Sequence, residues 1–235
     1  MTTTQQTSVS TTPPAGAAPP LSRAARLAAG ASLVLAGLLN GGAQYIGHLV
    51  SDDAGEWIRW AAEHPTWAAV EQWSTLVSLL VLPIGILGIA QVTRWRRPRL
   101  TAVATVLSLW GMWGFHTVLG LWYASGGVAP EALGVEAAVR LDDAYGSDPG
   151  VIALALVPHL LGSFLGLLLL CVAARGTFPT PALVLLAAFL VWDFLGVPVG
   201  PLEAHLLLAV ALAWLGLHLL RMPAAQWHGA RASGL

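Results

Sequence analysis

The chain has 235 residues, of which 56% are hydrophobic and only 10% are charged. Soluble globular domains carry about 25% charged residues, so this composition excludes an ordinary soluble domain. Eleven arginines, no lysine and twelve acidic residues give a formal net charge of −1, which offers no basic surface for a nucleic acid. The single Cys171 excludes a disulfide framework and a Cys-x-x-Cys motif. The composition therefore indicates an integral membrane protein whose surroundings are the lipid bilayer.

The apolar segments predict an all-α, polytopic transmembrane helix bundle. Residues 1–22 are rich in Thr, Pro and Ala, so we expect a disordered tail there rather than a signal peptide. Six apolar stretches follow, each near the roughly 20 residues that a spanning helix needs. The predicted spans are about 27–49, 72–92, 100–123, 151–174, 181–199 and 203–220, within a transmembrane domain of residues 23–221. Gly200-Pro201 favours a tight hairpin between the last two, and residues 222–235 form a second tail.

The arginines are distributed unevenly between the two sides of the predicted bundle. Only Arg59 and Arg140 lie on the side of the two long links. The other nine lie on the side of both termini: Arg23, Arg26, Arg94, Arg96, Arg97, Arg99, Arg175, Arg221 and Arg231. Because arginine accumulates on the cytoplasmic side of membrane proteins, we expect both termini in the cytoplasm of a bacterial cell and a multi-pass protein in its plasma membrane. Ten of the twelve acidic residues lie in the two links, which agrees with this orientation.

The two long links carry signals for short helices outside the membrane. Asp52 or Asp53 can cap a helix that runs to about Glu63, and a second helix is predicted over 129–145, where Pro130 suits the first turn. These helices would lie across the outer mouth of the bundle. They could form a lid over a site, or they could simply pack at the membrane interface, and we favour the second interpretation.

Glycines recur at a spacing of four residues within the spans. The pairs are Gly37 and Gly41, Gly162 and Gly166, and Gly196 and Gly200. Small residues at this spacing let two helices approach closely in a bilayer. The three pairs therefore mark candidate helix contacts.

Polar residues inside the spans are concentrated in the outer third of the membrane. At about 1.5 Å per residue, His116 lies roughly 10 Å deep, His159 about 12 Å and Asp193 roughly 9 Å, while His205 and Glu203 are shallower. The inner half is almost entirely apolar. Ionisable groups in a bilayer are costly and usually face a bundle interior or a water-filled cavity. We expect these five residues to form one polar site, although each could instead bond separately to a neighbouring helix.

The leading hypothesis is a membrane-embedded enzyme that uses acid–base catalysis. Asp193 would be the acid or the orienting group, His116 and His159 would transfer protons, and His205 with Glu203 would form the entrance. The substrate would be small or amphipathic. Cyclisation started by an acid, and acid-assisted activation of a small inorganic substrate, both fit this chemistry.

Two further classes of function remain open. His116 and His159 lie at similar depths on consecutive helices and could hold a b-type haem, or, with Asp193 and His205, a divalent metal. No compact metal-binding motif such as HExxH is present in the sequence. A small transporter or a non-catalytic membrane partner is the third possibility. The sequence leaves the oligomeric state and any cofactor open.

One part of the chain resembles a known group of proteins. The step Glu63-His64-Pro65, the following apolar span and the arginine-rich link at 94–99 are similar to a broad group of uncharacterised six-helix membrane proteins from bacteria with GC-rich genomes. The likeness covers about residues 55–125 and is echoed more weakly at 207–221. It implies the six-helix topology and no activity. His116, His159 and Asp193 are not part of the shared pattern.

Overall fold

The computed structural model describes residues 23–51, 53–195 and 203–228. Within these ranges the chain forms helices joined by short links, and the described residues contain no strand. The predicted tail at 1–22, the Gly200-Pro201 hairpin, the Gly196–Gly200 pair and most of the second tail lie outside the described residues. The all-helical fold class is thus confirmed for the part of the chain that the structure describes.

The helices follow the predicted apolar segments closely. They are α1 (Arg23–Val50), α2 (Ala54–Glu63), α3 (Pro65–Thr93), α4 (Pro98–Trp122), α5 (Ala129–Leu133), α6 (Val135–Ser147), α7 (Pro149–Val151), α8 (Phe164–Ala174), α9 (Thr180–Leu195), α10 (His205–Arg221) and α11 (Ala224–Trp227). Three π-helical turns complete them, at Tyr123–Val128, Ile152–Leu156 and Pro158–Ser163. The last two turns join α7 to α8, so that Pro149–Ala174 is one long helix.

Four of these segments are long and apolar enough to cross a membrane, judged by length and composition. They are Arg23–Gly47, Pro65–Thr93, Pro98–Leu133 and Pro149–Ala174. The apolar helices α9 and α10 coincide with the fifth and sixth predicted spans but have only 16 and 17 residues. The described helices are therefore compatible with a multi-pass membrane protein.

Close contacts between backbones hold the bundle together. Helix α1 packs between α3 and α10, and α4 packs along the Pro149–Ala174 helix. A Cβ atom added at Gly41 would lie 2.7 Å from the Cβ of Ala209, and one added at Gly162 would lie 2.5 Å from the backbone nitrogen of Gly111. Both distances are too short for a side chain, so glycine is required at these positions. The predicted contacts at Gly37–Gly41 and Gly162–Gly166 are confirmed.

The two ends of the bundle differ in charge, and we name them accordingly. The acidic end comprises α2, α5, α6 and the π-helical turn before α5, and the arginine end comprises the links 94–97 and 175–179 together with α11. Helix α2 begins after Asp53, whose carboxylate accepts a hydrogen bond from the backbone N–H of Glu56 at 2.8 Å, and ends at Glu63, as predicted. The second predicted helix is broken at Gly134, whose φ of 85° ends α5 before α6 begins.

The helices of the acidic end pack on one another through a small apolar cluster of their own. Its buried residues are Trp57, Ile58, Ala61, Ala68, Ala129 and Ala138. Val135, Val139 and Leu141 of α6 pack against it, whereas Leu133 of α5 is 63% exposed. The cluster holds α2 and α6 in place at the acidic end, where they cover the interior of the bundle.

Candidate functional site

A cavity of about 320 Å³ lies between the long helices, in the half of the bundle that faces the acidic end. We call it the central cavity. Helices α1, α3, α4, α9, α10 and the Pro149–Ala174 helix all contribute to its lining. Most of the lining is apolar, and the deepest positions are taken by residues such as Leu82, Met112 and Leu167. Three ionisable residues predicted from the sequence, His159, Asp193 and His205, line the same cavity.

His205 stands at the centre of the polar part of this cavity. Its Nδ1 atom lies 2.6 Å from Oε1 of Glu203 and 3.7 Å from Oδ1 of Asp193. The other carboxylate oxygen of Glu203 accepts a hydrogen bond from the backbone N–H of His205 at 2.6 Å. Glu203 therefore caps the first turn of α10 and orients the imidazole at the same time. The three side chains are largely buried, with 14%, 30% and 12% exposed for His205, Asp193 and Glu203.

His159 lies opposite, within the π-helical turn Pro158–Ser163. Proline in a helix interior removes a backbone hydrogen bond and clashes with the preceding turn, so Pro158 favours the wider π-helical winding here. The imidazole stacks on Phe115, with ring centroids 4.2 Å apart, and its Nδ1 atom lies 3.3 Å from the hydroxyl of Ser163. Phe194 contacts its other side at 5.9 Å between centroids. Aromatic rings thus fix the position of this histidine.

A second group of polar side chains lines the wall formed by α1 and α3. Asn40, Thr75 and Ser78 are buried there, and Gln44 lies one turn of α1 nearer the acidic end. The amide Nδ2 of Asn40 donates to the hydroxyl of Ser78 at 3.5 Å, and this hydroxyl donates to the backbone carbonyl of Thr75 at 2.7 Å. The central cavity is therefore polar on two walls and apolar at its floor.

A further cavity of about 340 Å³ at the acidic end continues the central one toward the surface. We call it the acidic-end cavity. Gln44, Trp122, Asp193 and His205 line both cavities, so these residues mark the junction. Three carboxylates belong to the remaining lining: Asp53, Glu71 and Glu203. The two cavities together provide a polar route from the acidic end to the imidazole of His205.

Glu71 is the residue of this route that sequence reasoning missed. It lies in α3, is only 2% exposed and accepts a hydrogen bond from the indole Nε1 of Trp57 at 2.8 Å. With a span predicted to begin at residue 72, Glu71 falls among the acids of the first link. The helix instead begins at Pro65, where proline suits the first turn, and this brings Glu71 inside the bundle.

His116 lies apart from the other predicted site residues. It lines a different cavity of about 240 Å³ together with Gln72, Trp73 and Tyr123, which we call the lateral cavity. Its Nδ1 atom donates to the backbone carbonyl of Met112 at 2.6 Å. In the part of the chain that the structure describes, His116 and His159 line separate cavities, the lateral cavity and the central cavity. Among the described residues, no group of three His, Cys, Asp or Glu side chains is placed to hold a metal ion.

Comparison with known proteins adds no information on this site. No protein-family model matches the chain, and no curated protein or solved structure is significantly similar to it. The site has to be interpreted from its own geometry.

Proposed function

We propose that the chain crosses the plasma membrane of a bacterial cell six times, with both termini in the cytoplasm and the acidic end outside. The distribution of the arginines supports this orientation. Helices α9 and α10 contribute Asp193 and His205 to the central cavity, so they lie in the same layer as the four longer segments. At 1.5 Å per residue they span roughly 25 Å, close to the hydrocarbon thickness of about 30 Å.

Thiol labelling tests this topology, because Cys171 is the only cysteine and can be replaced by alanine. In that background Gly146→Cys places a thiol at the exposed acidic end, and Ala225→Cys places one at the exposed arginine end. Neither substitution alters an arginine. A membrane-impermeant maleimide should label Gly146→Cys in intact cells and Ala225→Cys only after permeabilisation. The reverse pattern would contradict the orientation, and labelling of both in intact cells would contradict the number of spans.

We propose further that the central cavity is the active site of a membrane-embedded enzyme that acts on a small or amphipathic substrate by acid–base catalysis. One observation carries this proposal. The imidazole of His205 is held by two carboxylates, Glu203 and Asp193, at the junction of the central cavity and the acidic-end cavity. A histidine oriented by a carboxylate is a common arrangement for general acid–base catalysis.

The hydrogen bonds support a role for each of these groups. When Nδ1 of His205 donates to Glu203, the neutral imidazole carries its proton on that nitrogen, and Nε2 is left to accept a proton. The carboxylate of Asp193 at 3.7 Å stabilises the imidazolium that forms. Glu203 is a positioning residue, and His205 transfers the proton. His159, held by Phe115 and Ser163, supplies a second imidazole in the same cavity.

The test compares the small molecules and lipids of cells that express the wild-type protein, the His205→Ala variant or the His116→Ala variant. Untargeted mass spectrometry of whole extracts detects a product even when the substrate has not been identified. We expect a compound that accumulates with the wild type and with His116→Ala and falls at least a hundredfold with His205→Ala, the usual minimum contribution of a general acid–base residue. Asp193→Asn should give a similar loss.

The control variant is His116→Ala. It replaces the same type of residue, but His116 lines the lateral cavity and not the central one. Membrane insertion of each variant is checked by its yield after detergent extraction. Extracts that do not differ between wild type and His205→Ala would refute the catalytic proposal. A loss of the compound with His116→Ala at normal protein yield would move the active site to the lateral cavity.

A further inference from the structure

Two polar atoms on the α1–α3 wall of the central cavity lack a hydrogen-bond partner. They are Oδ1 of Asn40 and Oγ1 of Thr75, in side chains that are only 5% and 1% exposed. Buried polar atoms are nearly always paired in proteins, because an unpaired one loses its interaction with water and gains nothing. Both residues line the central cavity. The wall therefore has unused capacity to bind a polar group inside that cavity.

The neighbouring hydrogen bonds determine which atom of Asn40 is available. Ser78 uses its single hydroxyl proton to donate to the backbone carbonyl of Thr75 at 2.7 Å. Ser78 can then only accept from Asn40, so the amide presents Nδ2 to Ser78 and keeps the acceptor Oδ1 free. Thr75 has a hydroxyl that both donates and accepts. The wall thus offers an acceptor at Asn40 and, at Thr75, a hydroxyl group that can donate.

We infer that the central cavity binds an aliphatic alcohol whose hydroxyl group donates to Oδ1 of Asn40 and accepts from Oγ1 of Thr75. The inference rests on the proposed function, because it names the substrate class of the same site. A carbonyl group cannot donate to Asn40, whereas a hydroxyl group can donate to Asn40 and accept from Thr75 at the same time.

The rest of the cavity matches the apolar part of such an alcohol. Leu82, Met112 and Leu167 lie beyond the polar wall, toward the arginine end. A volume of about 320 Å³ corresponds to roughly ten non-hydrogen atoms if each takes about 30 Å³, the share of a water molecule in the liquid. An alcohol with roughly eight to ten carbon atoms fills this space. Its hydroxyl group then lies on the side that leads to His205.

Photoaffinity labelling tests the inference with the purified protein in lipid nanodiscs. The probes are an octanol with a diazirine on its chain and the matching octane without the hydroxyl group. We expect the alcohol to label the cavity floor, at Met112 or Leu167, at least about fivefold more than the alkane, because one neutral hydrogen bond alone has about this effect. An excess of 1-octanol should abolish this labelling. Equal labelling of the floor by the two probes would overturn the inference.

Three variants test whether the preference for the alcohol arises from the wall formed by α1 and α3. Asn40→Leu and Thr75→Val should each reduce the preference for the alcohol while leaving alkane labelling unchanged, which also shows that the variant is folded. Thr105→Val is the matched control, because the hydroxyl of Thr105 donates to the carbonyl of Thr101 at 2.7 Å and the residue does not line the cavity. An unchanged preference in both Asn40→Leu and Thr75→Val would overturn the inference.

The variant His205→Ala separates this inference from the proposed function. It should bind the alcohol probe like the wild type and yet lose the cellular product. If it binds the probe and still forms the product, the proposed catalysis fails and the alcohol site stands. If Asn40→Leu and Thr75→Val form the product at the wild-type rate, the alcohol site is not the substrate site and the inference fails.

Discussion

Three fully buried threonines, Thr75 near the acidic end and Thr93 and Thr101 near the arginine end, differ in how their hydroxyl groups are paired. Near the arginine end, the hydroxyl of Thr93 donates to the carbonyl of Ile89 at 3.0 Å, and Thr101 donates to the hydroxyl of Thr93 at 3.2 Å. These groups are satisfied by their own helix or by its neighbour. Near the acidic end, Asn40 and Thr75 line a cavity and each keeps an atom without a partner.

The comparison shows that a buried polar residue is informative only when its hydrogen bonds are traced. Thr75, Thr93 and Thr101 are equally buried, so neither burial nor residue type separates them. What separates them is whether the hydroxyl group already has a hydrogen-bond partner in its own or a neighbouring helix. A buried threonine is ordinary inside a membrane helix when it bonds to its own preceding turn. Thr75 departs from that pattern, and it lines the cavity that also holds Asp193, His159 and His205.

The largest effect on the free energy of unfolding is expected where two helix backbones pack closely. A Cβ atom at Gly166 would overlap the backbone nitrogen of Ser108, whereas a Cβ atom at Gly42, near the acidic end, would meet nothing within 4 Å. Gly166→Ala should lower the free energy of unfolding by about 3 kcal/mol, because two helix backbones must separate. Gly42→Ala should leave it unchanged or raise it by up to about 1 kcal/mol, because alanine favours helix. Thermal unfolding in detergent measures both, and equal midpoints would contradict the close packing.

The next prediction concerns Glu71, the buried carboxylate near the acidic end. Trp57→Phe removes the indole N–H that donates to Glu71 at 2.8 Å and leaves the carboxylate without this donor. We expect a loss of about 2 kcal/mol in the free energy of unfolding, as for a hydrogen bond to a charged group. Trp67→Phe is the control, because that indole is 57% exposed. Adding Glu71→Gln to Trp57→Phe should recover part of the loss, and a double variant that is no more stable than Trp57→Phe would assign the loss to packing alone.

The positions of the helices followed from the sequence because apolar length is a strong signal in a membrane protein. The rotation of each helix about its axis could not be predicted from the sequence. Helix α4 is apolar around its whole circumference, so no apolar stripe shows which side faces the interior. His116 follows Phe115 by one residue, which is about 100° around the helix, and only Phe115 lines the central cavity. The depth of His116 was therefore predictable and its cavity was not.

The proximity of the polar residues at the ends of α9 and α10 was easier to predict. Asp193, Glu203 and His205 lie near the facing ends of two consecutive helices, so their proximity follows from the chain itself. The wall formed by Asn40, Thr75 and Ser78 needed the packing of α1 against α3, which no local pattern encodes. Short polar side chains in apolar spans are common, and only their mutual contacts distinguish this group.

A smaller effect tests the positioning role of Glu203 within the acidic half. In Glu203→Gln the side-chain oxygen can still accept the backbone N–H of His205, so α10 keeps its cap. The charge that orients and stabilises the imidazole is lost. With the substrate that the extracts identify, we expect kcat to fall about tenfold and KM to stay unchanged, a loss of about 1.4 kcal/mol. Glu63→Gln, in an exposed residue at the end of α2, is the control. An unchanged kcat in Glu203→Gln would limit Glu203 to helix capping.

The smallest effect on the free energy of unfolding is expected at Thr101, near the arginine end. Valine has nearly the same shape as threonine, and Thr101→Val removes only the donor to the hydroxyl of Thr93. Thr93 keeps its own bond to the carbonyl of Ile89, so no buried proton loses its acceptor. The free energy of unfolding should change by less than about 1 kcal/mol, and product formation and alcohol binding should be unaffected. Thr75→Val, the same substitution near the acidic end, should instead reduce the preference for the alcohol. If Thr101→Val also reduced that preference, Thr75 and Thr101 would not differ as their hydrogen bonds indicate.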